Sequence, residues 1–307
     1  MARRFITAGS ATIDTITPYG GETASERIGG AVIYSAQGLR LWHDNVSVGI
    51  YTGRDFFDYY RNWIENNNID ASGVIMKTEH TRRLIINYRQ NGFFLPYDGY
   101  PEEYNADQDL VDRALIENMM GPDVYGVHVA MTPVLSNLRD IHRLCRENGI
   151  PFGAEFHVNE YLGKEGYEDH IREAARYTDY FSLNYFETEQ IFKGVRDYMD
   201  AIELYSSFEV PCFLRVGTDG AYFIYDSKVY YSPMISAFGD KDPTGCGNTS
   251  TAAAFWAICS GYDPLASSYI GAIAASLNAG TTGVIEHITD DMRQKCRELL
   301  KKYVPQI

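Results

Sequence analysis

The chain contains 307 residues, 45% of them apolar, and its acidic residues outnumber its basic residues by 41 to 27. The resulting net charge of −14 repels nucleic-acid phosphates and anionic lipids, so we expect neither a nucleic-acid nor a membrane partner. No apolar run is long enough to span a bilayer, and we interpret residues 1–6 as a first strand rather than a signal peptide.

The five cysteines are scattered through the chain and form no Cys-x-x-Cys pair. They therefore predict free thiols in a reducing cytoplasm rather than disulfides or a zinc site. No internal repeat or Pro/Gly/Ser-rich linker divides the chain, so residues 1–307 are predicted to form a single domain.

In chain order, short apolar segments alternate with segments of helical character. The predicted strands are 5–8, 46–51, 124–128, 152–155, 180–183, 212–216 and 221–225. The predicted helices are 31–41, 56–66, 107–119, 134–148, 167–177, 187–192, 201–205, 248–259, 264–278 and 290–302. This alternation predicts an α/β fold with a mostly parallel sheet covered by helices on both faces.

Two segments, about residues 12–28 and 80–96, interrupt the alternation. In the second, the Asn91-Gly92 pair lies between apolar runs and is typical of a tight β-hairpin. We predict that both segments form antiparallel strands that project from the main sheet.

Two features near the start of the chain could contact a ligand. Asp14 follows the first predicted strand, and Gly29-Gly30 precedes the first predicted helix. A carboxylate at the C-terminal end of a strand can accept paired hydrogen bonds from ligand hydroxyls, and glycines let the backbone approach a ligand closely. On residue type alone, Asp14 also fits a turn, and the glycines also fit a flexible start to a helix.

The segment Asn184-Tyr185-Phe186-Glu187 follows the predicted strand 180–183. Its spacing fits a capping box at a helix start, with Asn184 as the N-cap and Glu187 at the third helical position. Further along, residues 216–221 contain an Asp-Gly pair between two predicted strands, which is typical of a β-turn.

Residues 242–248 read Asp-Pro-Thr-Gly-Cys-Gly-Asn and precede a run of small, apolar residues with helical character. The glycines let successive backbone N–H groups point at one place, and the positive end of the following helix faces the same place. This stretch therefore predicts a pocket for an anion, most often a phosphate.

In this order, the stretches resemble the signatures of the ribokinase (PfkB) family of sugar and nucleoside kinases. The C-terminal signature of that family reads Asp-Thr-x-Gly-Ala-Gly-Asp, and residues 242–248 share its aspartate, a threonine and both glycines. The resemblance covers nearly the whole chain. It implies a ribokinase-like three-layer fold, a β lid formed by residues 12–28 and 80–96, and a homodimer joined through that lid. It also implies ATP, Mg²⁺ and a monovalent cation as cofactors.

The resemblance assigns roles to individual residues. The implied catalytic anion hole comprises Gly245, Cys246, Gly247 and Asn248. The implied substrate site comprises Asp14, Gly29, Gly30, Tyr34 and Arg82. The implied nucleotide site comprises Asn184, Glu187, Thr218, Gly220 and Asn278, with Asn184 and Glu187 also holding water-coordinated magnesium.

The chain departs from the family pattern at three places. Asn248 stands where the family has its catalytic aspartate. Tyr34 replaces an asparagine of the first signature, which implies an acceptor that is smaller, flatter or more apolar than ribose, or a tyrosine packed in the core. The run 155–159 replaces Asp-x-Asn-x-Arg and lacks its arginine. Arg82 and Arg83 are candidates to replace that charge, with solvated lid arginines as the alternative.

The histidines show no spacing typical of a metal site, and we interpret His128, His157 and His287 as structural.

An asparagine at position 248 can hydrogen-bond a hydroxyl but cannot accept its proton. Three explanations stay open: a family member that binds ligands and barely transfers phosphate, an introduced Asp-to-Asn change, or recruitment of another base such as Asp242 through a water. The predicted function is ATP-dependent phosphorylation of a hydroxyl on a sugar or related small molecule. The alternative is a catalytically silent ligand-binding protein of the same fold.

Overall fold

The structure is a computed structural model that describes residues 3–17, 19–89, 97–98 and 110–306. Its strands are β1 (Arg4–Gly9), β2 (Thr12–Thr17), β3 (Ala24–Gly29), β4 (Val46–Gly53), β5 (Ile69–Thr78), β6 (Arg83–Asn87), β7 (Tyr97–Asp98), β8 (Val124–Met131), β9 (Phe152–Phe156), β10 (Tyr180–Asn184), β11 (Cys212–Arg215), β12 (Ala221–Tyr225) and β13 (Lys228–Ser232). Its α-helices are α1 (Ala31–Trp42), α2 (Phe56–Asn67), α3 (Arg113–Glu117), α4 (Leu135–Glu147), α5 (Tyr167–Arg176), α6 (Tyr185–Ile191), α7 (Tyr198–Ser206), α8 (Cys246–Cys259), α9 (Pro264–Ala279) and α10 (Asp290–Tyr303).

The main sheet has 9 strands in the order β13-β12-β11-β10-β9-β8-β1-β4-β5. Every pair from β11 to β5 is parallel, whereas β12 and β13 are antiparallel to their neighbours. Helices cover both faces, which confirms the predicted three-layer α/β fold. In such sheets ligands bind beyond the carboxyl ends of the strands, so the topology indicates where a site is expected.

Two apolar cores lie on opposite faces of this sheet. Successive side chains of a strand point to opposite faces, so Phe5 of β1 packs in one core and Ile6 in the other. The first core includes residues of α1, α8 and α9, and the second includes residues of α4, α5 and α7. Both are fully buried, and they fix the helix and strand ends that carry the polar side chains described below.

A second sheet of 4 strands, in the order β3-β2-β6-β7, contains described strands of the two segments that were predicted as a lid, together with Tyr97–Asp98, and we keep the name lid for it. The prediction of antiparallel strands is correct for β2 with β3 and for β6 with β7, but β2 and β6 are parallel. Both enter the lid in the same direction because each follows a strand of the main sheet. Ile16, Ile86 and Tyr88 form a small core of their own. The Asn91-Gly92 hairpin lies outside the described residues.

The element predictions are correct in type and wrong in some bounds. Two edge strands, β5 and β13, were not predicted, and α6 and α7 begin earlier than the predicted helices 187–192 and 201–205. Within the predicted helix 107–119, residues 107–109 lie outside the described residues and only Arg113–Glu117 is an α-helix. Across the described ranges, the longest helices are too short or too polar to cross a membrane.

Candidate active site

The polar residues singled out in the sequence converge at the carboxyl ends of the parallel strands. Strands β9, β10 and β11 end side by side at Phe156, Asn184 and Arg215, and helix α8 begins opposite them at Cys246. Two groups of side chains meet there. We call the loop 244–248 with Glu155, Glu187 and Arg215 the phosphate half, and Asp14, Gly29, Gly30, Tyr34 and Tyr88 the acceptor half.

The loop before α8 has the geometry of an anion pocket. Gly245 caps the helix with φ 76°, a left-handed conformation that favours glycine, and a side chain there would collide with the ring of Tyr34. The N–H groups of Gly247 and Asn248 belong to the first turn, where a helix offers no carbonyl partner. They are therefore free to point, with the helix dipole, at a bound anion.

Buried polar side chains hold this loop in place. Asp242 accepts hydrogen bonds from Thr244 N at 2.9 Å and from Gly283 N at 2.8 Å. Asn278, whose side chain is fully buried, donates to Thr244 O at 2.7 Å and accepts from Gln37 at 2.6 Å. In this structure Asn278 therefore positions the loop from below, and its predicted place beside the nucleotide stays a prediction.

A buried ion pair lies against the loop. Arg215 Nη1 is 3.0 Å from Glu155 Oε1, and Arg215 Nη2 is 4.0 Å from Glu187 Oε2. A Cβ atom on Gly247 would collide with the same guanidinium, so the glycine is what lets Arg215 reach the helix start. Arg215 also donates from Nε to Ser182 Oγ at 3.1 Å, which fixes the plane of the guanidinium.

Asn184 and Glu187 form the predicted capping box. Asn184 Oδ1 accepts from Glu187 N at 2.8 Å, and Glu187 Oε2 accepts from Asn184 N at 3.0 Å. Burial raises the pKa of Glu187 to about 7. A carboxylate whose charge is disfavoured in this way gains from a nearby cation.

The donor set also bears on a metal ion. No group of three or more His, Cys, Asp or Glu side chains in the described part of the chain is arranged to hold a metal. Magnesium does not require such a group, because it usually keeps several waters and is bound through one or two carboxylates together with substrate phosphates. Glu187 with Asn184 therefore fits a water-coordinated Mg²⁺ held jointly with a nucleotide.

Asn248 lies on the first turn of α8 between two acceptors. Its Nδ2 donates to Glu155 Oε2 at 3.0 Å and is 3.3 Å from His157 Nε2. The side chain is half-buried and faces the phosphate half. Cys246 beside it is not a reactive thiol: burial raises its pKa to about 11, so it stays protonated at neutral pH.

The acceptor half contains buried polar atoms without partners. Asp14 is 2% exposed, and within the described residues its Oδ1 and the hydroxyl of Tyr34 make no hydrogen bond. Burial, with Asp242 nearby, raises the pKa of Asp14 to about 7. Gly29 and Gly30 lie against Asp14 and the backbone of residues 10–12, where no side chain fits. Buried polar groups are normally paired, so these atoms are candidates to bind the polar groups of a ligand.

The lid reaches the anion loop through one side chain. Tyr88, at the end of β6, has its hydroxyl 2.6 Å from Thr244 Oγ1, and its N–H donates to Thr17 O. Arg82 precedes β6, and its positive charge offsets part of the rise in the pKa of Asp14 that burial causes. Tyr88 therefore links the two halves of the site.

The structure brings together most of the residues that the sequence singled out. Thr218 lies exposed on the 3₁₀ turn Gly217–Asp219 after β11, and Gly220 follows it with φ 100°. Sequence reasoning missed Arg215 and treated His157 as structural. The signal for Arg215 was a charge at the end of the otherwise apolar strand Cys212–Arg215. His128, in contrast, is buried and burial lowers its pKa to about 4, which suits a neutral core residue.

Comparison with protein families gives one match over most of the chain. The model of the pfkB family carbohydrate kinases matches residues 5–291. A comparison with curated protein sequences gave no match.

Solved structures show the same fold at low identity. The nucleoside kinase of Methanocaldococcus jannaschii, an archaeal member of the ribokinase family, is 20% identical, with 98% of this chain and 99% of that chain covered and a TM-score of 0.70. Arabidopsis thaliana ribokinase, complexed with ribose and ATP, is 18% identical over 98% and 99% of the two chains, with a TM-score of 0.74. An E. coli protein in complex with ATP and Mg²⁺ is 15% identical over 98% and 99%, with a TM-score of 0.71.

Proposed function

This chain belongs to the pfkB family of carbohydrate kinases, and we propose that it transfers the γ-phosphoryl group of ATP to a hydroxyl of a sugar or nucleoside-like small molecule. One observation carries the proposal. The guanidinium of Arg215 lies against Gly247 at the start of α8, so a fixed positive charge and free helix N–H groups face the same place. Such an arrangement stabilises the charge of a phosphoryl group in transfer.

The phosphate half binds and orients the transferred group. The N–H groups of Gly247 and Asn248 and the guanidinium of Arg215 would hold the phosphoryl oxygens, which supplies the charge that the run 155–159 lacks. Glu187 and Asn184 would hold Mg²⁺ through water, and Thr218 and Gly220 would lie beside the nucleotide. Bound Mg²⁺ supplies neutralisation of the charge on the β- and γ-phosphates.

The acceptor half binds the hydroxyl-bearing substrate. Asp14 Oδ1 and the Tyr34 hydroxyl have no partner among the described residues. Oδ1 would accept a substrate hydroxyl, and the Tyr34 hydroxyl would bond a second polar group. Gly29 and Gly30 let Asp14 and the backbone of residues 10–12 pack closely against them, which would hold the Asp14 carboxylate in place for the substrate. Tyr88, bonded to Thr244, would close the lid over it. The ring of Tyr34, which stands where the family pattern has an asparagine, lies against Gly245. We propose that this ring favours an acceptor smaller, flatter or more apolar than ribose.

The relatives point in the same direction. Ribose and ATP in the Arabidopsis ribokinase, and ATP with Mg²⁺ in the E. coli protein, are the ligand classes that we propose for this chain. We also propose a monovalent cation as a cofactor, to be tested by comparing K⁺ with tetramethylammonium in the assay buffer.

A panel of sugars and nucleosides tests the function. We expect Mg-ATP to raise the melting temperature, because a ligand that binds only the folded state stabilises it. We expect at least one acceptor to produce ADP in a substrate-dependent manner. A protein that binds Mg-ATP and an acceptor without forming ADP would be the silent ligand-binding protein instead, an alternative that Asn248 favours.

We propose that two copies join through the lid, with residues 12–28 and 80–96 at the contact. Ile86 is buried inside its own lid, so the contact would use the opposite face of β6, where Ile85 lies. Light scattering should give a dimer at micromolar concentration and a monomer for Ile85→Asp. A monomer for the unmodified protein would contradict the proposal.

A further inference from the structure

Two places at which this chain departs from the family pattern touch each other in the fold. Asn248 stands where the pattern has an aspartate, and His157 stands where the central motif has an asparagine. They are 91 residues apart in the chain, yet Asn248 Nδ2 is 3.3 Å from His157 Nε2. Asn248, which cannot accept a proton as the aspartate of the family pattern does, is therefore in contact with His157, whose imidazole can accept one.

The ion pair behind them fixes which atoms face each other. Glu155 is paired with Arg215 at 3.0 Å, and an ionised carboxylate only accepts hydrogen bonds. Asn248 must therefore turn Nδ2, its donor, toward Glu155, as the 3.0 Å contact shows. The second hydrogen of the same nitrogen faces His157 Nε2, which then acts as an acceptor and carries a lone pair.

The same orientation leaves the other arm of the amide free. Within the described part of the chain, Asn248 Oδ1 makes no hydrogen bond, and covalent geometry turns it away from Glu155. Oδ1 can accept a hydrogen bond from a hydroxyl at the mouth of the anion loop. A hydroxyl placed there lies beside His157, where it can replace the long 3.3 Å contact of the Asn248 amide as the donor to the Nε2 lone pair.

We propose that His157 is the general base that position 248 lacks, an inference that rests on the proposed kinase function. The acceptor oxygen forms a bond to the γ-phosphorus of ATP while the bond from that phosphorus to the leaving ADP oxygen breaks. The O–H bond of the acceptor breaks, and its proton binds His157 Nε2. The products are ADP, the phosphorylated acceptor and an imidazolium, which then releases its proton to solvent.

The surroundings of His157 suit this role. Its ring is half-buried at the end of β9, and its backbone N–H donates to Met131 O at 2.9 Å, which fixes the residue on the sheet. The carboxylate of Glu155 touches the same amide nitrogen and would stabilise the imidazolium. Asp242 is less suitable, because it is 1% exposed and both its carboxylate oxygens accept hydrogen bonds from the loop.

The test compares four variants on the best acceptor of the panel. His157→Gln keeps an acceptor for the Asn248 amide but removes the basic nitrogen. We expect kcat to fall about 10²-fold or more, the range that general bases supply, with Mg-ATP affinity unchanged. His287→Gln, at an exposed histidine, is the matched control and should keep full activity.

Two further results separate a base from a structural role. His157→Ala should recover activity when imidazoles are added. Among imidazoles of similar size, recovery should follow their basicity. If the ring only filled space, recovery would depend on the size of the imidazole alone. Asn248→Asp should gain little, because it places a second carboxylate against Glu155.

Three outcomes overturn the proposal. In the first, the unmodified protein is active and the kcat of His157→Gln stays within about threefold of it. A missing general base causes a much larger loss, so this result would remove the role of His157 and leave the kinase function standing. A gain of about two orders of magnitude in Asn248→Asp, the size of a restored base, does the same. No transfer by the unmodified protein to any acceptor overturns the kinase function as well.

Discussion

The two halves of the site differ in how their polar groups are satisfied. In the phosphate half, the side chains of Glu155, Arg215 and Asn248 form a continuous chain of two contacts of 3.0 Å each, with Glu155 buried in the middle. In the acceptor half, Asp14 and Tyr34 keep buried atoms without partners among the described residues. The phosphate half is therefore preorganised without a ligand, whereas the acceptor half is complete only when a substrate supplies the missing hydrogen bonds.

Arg215→Gln should have the largest effect, because it breaks the preorganised half. It removes a charge aimed at the transferred group, so kcat should fall about 10²–10³-fold. It also leaves Glu155 buried without its partner, which should lower the free energy of unfolding by about 3–5 kcal/mol. Steady-state kinetics and urea denaturation measure the two effects.

Arg196→Gln is the matched control for that prediction. Arg196 forms an ion pair with Asp200 at 3.0 Å but is 84% exposed, so its loss should cost little. Equal losses in the two variants would show that burial of Arg215 contributes nothing special.

The pH dependence of the free energy of unfolding should report on Asp14 in the acceptor half. The pKa of Asp14 is raised from 3.8 to about 7 by burial, so the folded state holds a proton that the unfolded state has lost in this range. Stability from this group is full below about pH 4 and is lost as the pH rises toward 7, a change on the order of a few kcal/mol. Glu187, with a pKa raised to about 7, adds a fall of the same sign.

Asp14→Asn should flatten part of that curve, as measured by urea denaturation from pH 4 to 8. Asp226→Asn, at an exposed turn, should leave it unchanged. A slope that is identical in the parent and in Asp14→Asn would contradict the assignment.

Gly247→Ala tests the close approach of Arg215 to the helix start. The added methyl would meet the guanidinium, so Arg215 must shift away from the anion pocket. We expect Mg-ATP affinity to fall about tenfold, which corresponds to about 1.4 kcal/mol. Calorimetric titration measures it, and Gly194→Ala, where nothing lies near the new methyl, should bind normally.

Tyr34→Phe should have the smallest effect and one of unusual sign. Its hydroxyl is buried and has no partner among the described residues, so removing it should stabilise the ligand-free protein by about 1 kcal/mol while weakening acceptor binding. Tyr180→Phe is the control: its hydroxyl donates to Thr251 O at 3.2 Å, so that variant should be less stable. A loss of stability in Tyr34→Phe would mean that its hydroxyl has a partner already.

The sequence predicted the fold through patterns that are local. Apolar runs such as Val46–Gly53 and the glycines before α8 are visible within a few residues, so the elements and the anion loop could be predicted. The edge strands β5 and β13 of the main sheet were not predicted, because one side of an edge strand faces solvent and their sequences lack a continuous apolar run.

The pairing of charges could not be predicted in the same way. The contact of Asn248 with Glu155 joins residues that are 93 positions apart, and no local sequence pattern near either residue predicts it. In the sequence, Arg215 is a single charge at the end of a strand. Only the fold places it between the carboxylates of Glu155 and Glu187. The capping box of Asn184 and Glu187 was predictable because its partners lie three residues apart.

Phosphorus NMR of the unmodified protein with Mg-ATP and the best-bound acceptor tests the central claim most directly. We expect a new phosphomonoester resonance that grows in step with ADP, because the preorganised phosphate half transfers the phosphoryl group once the acceptor completes the other half. An ATP spectrum that stays unchanged while the acceptor is bound, or release of inorganic phosphate alone, would contradict it.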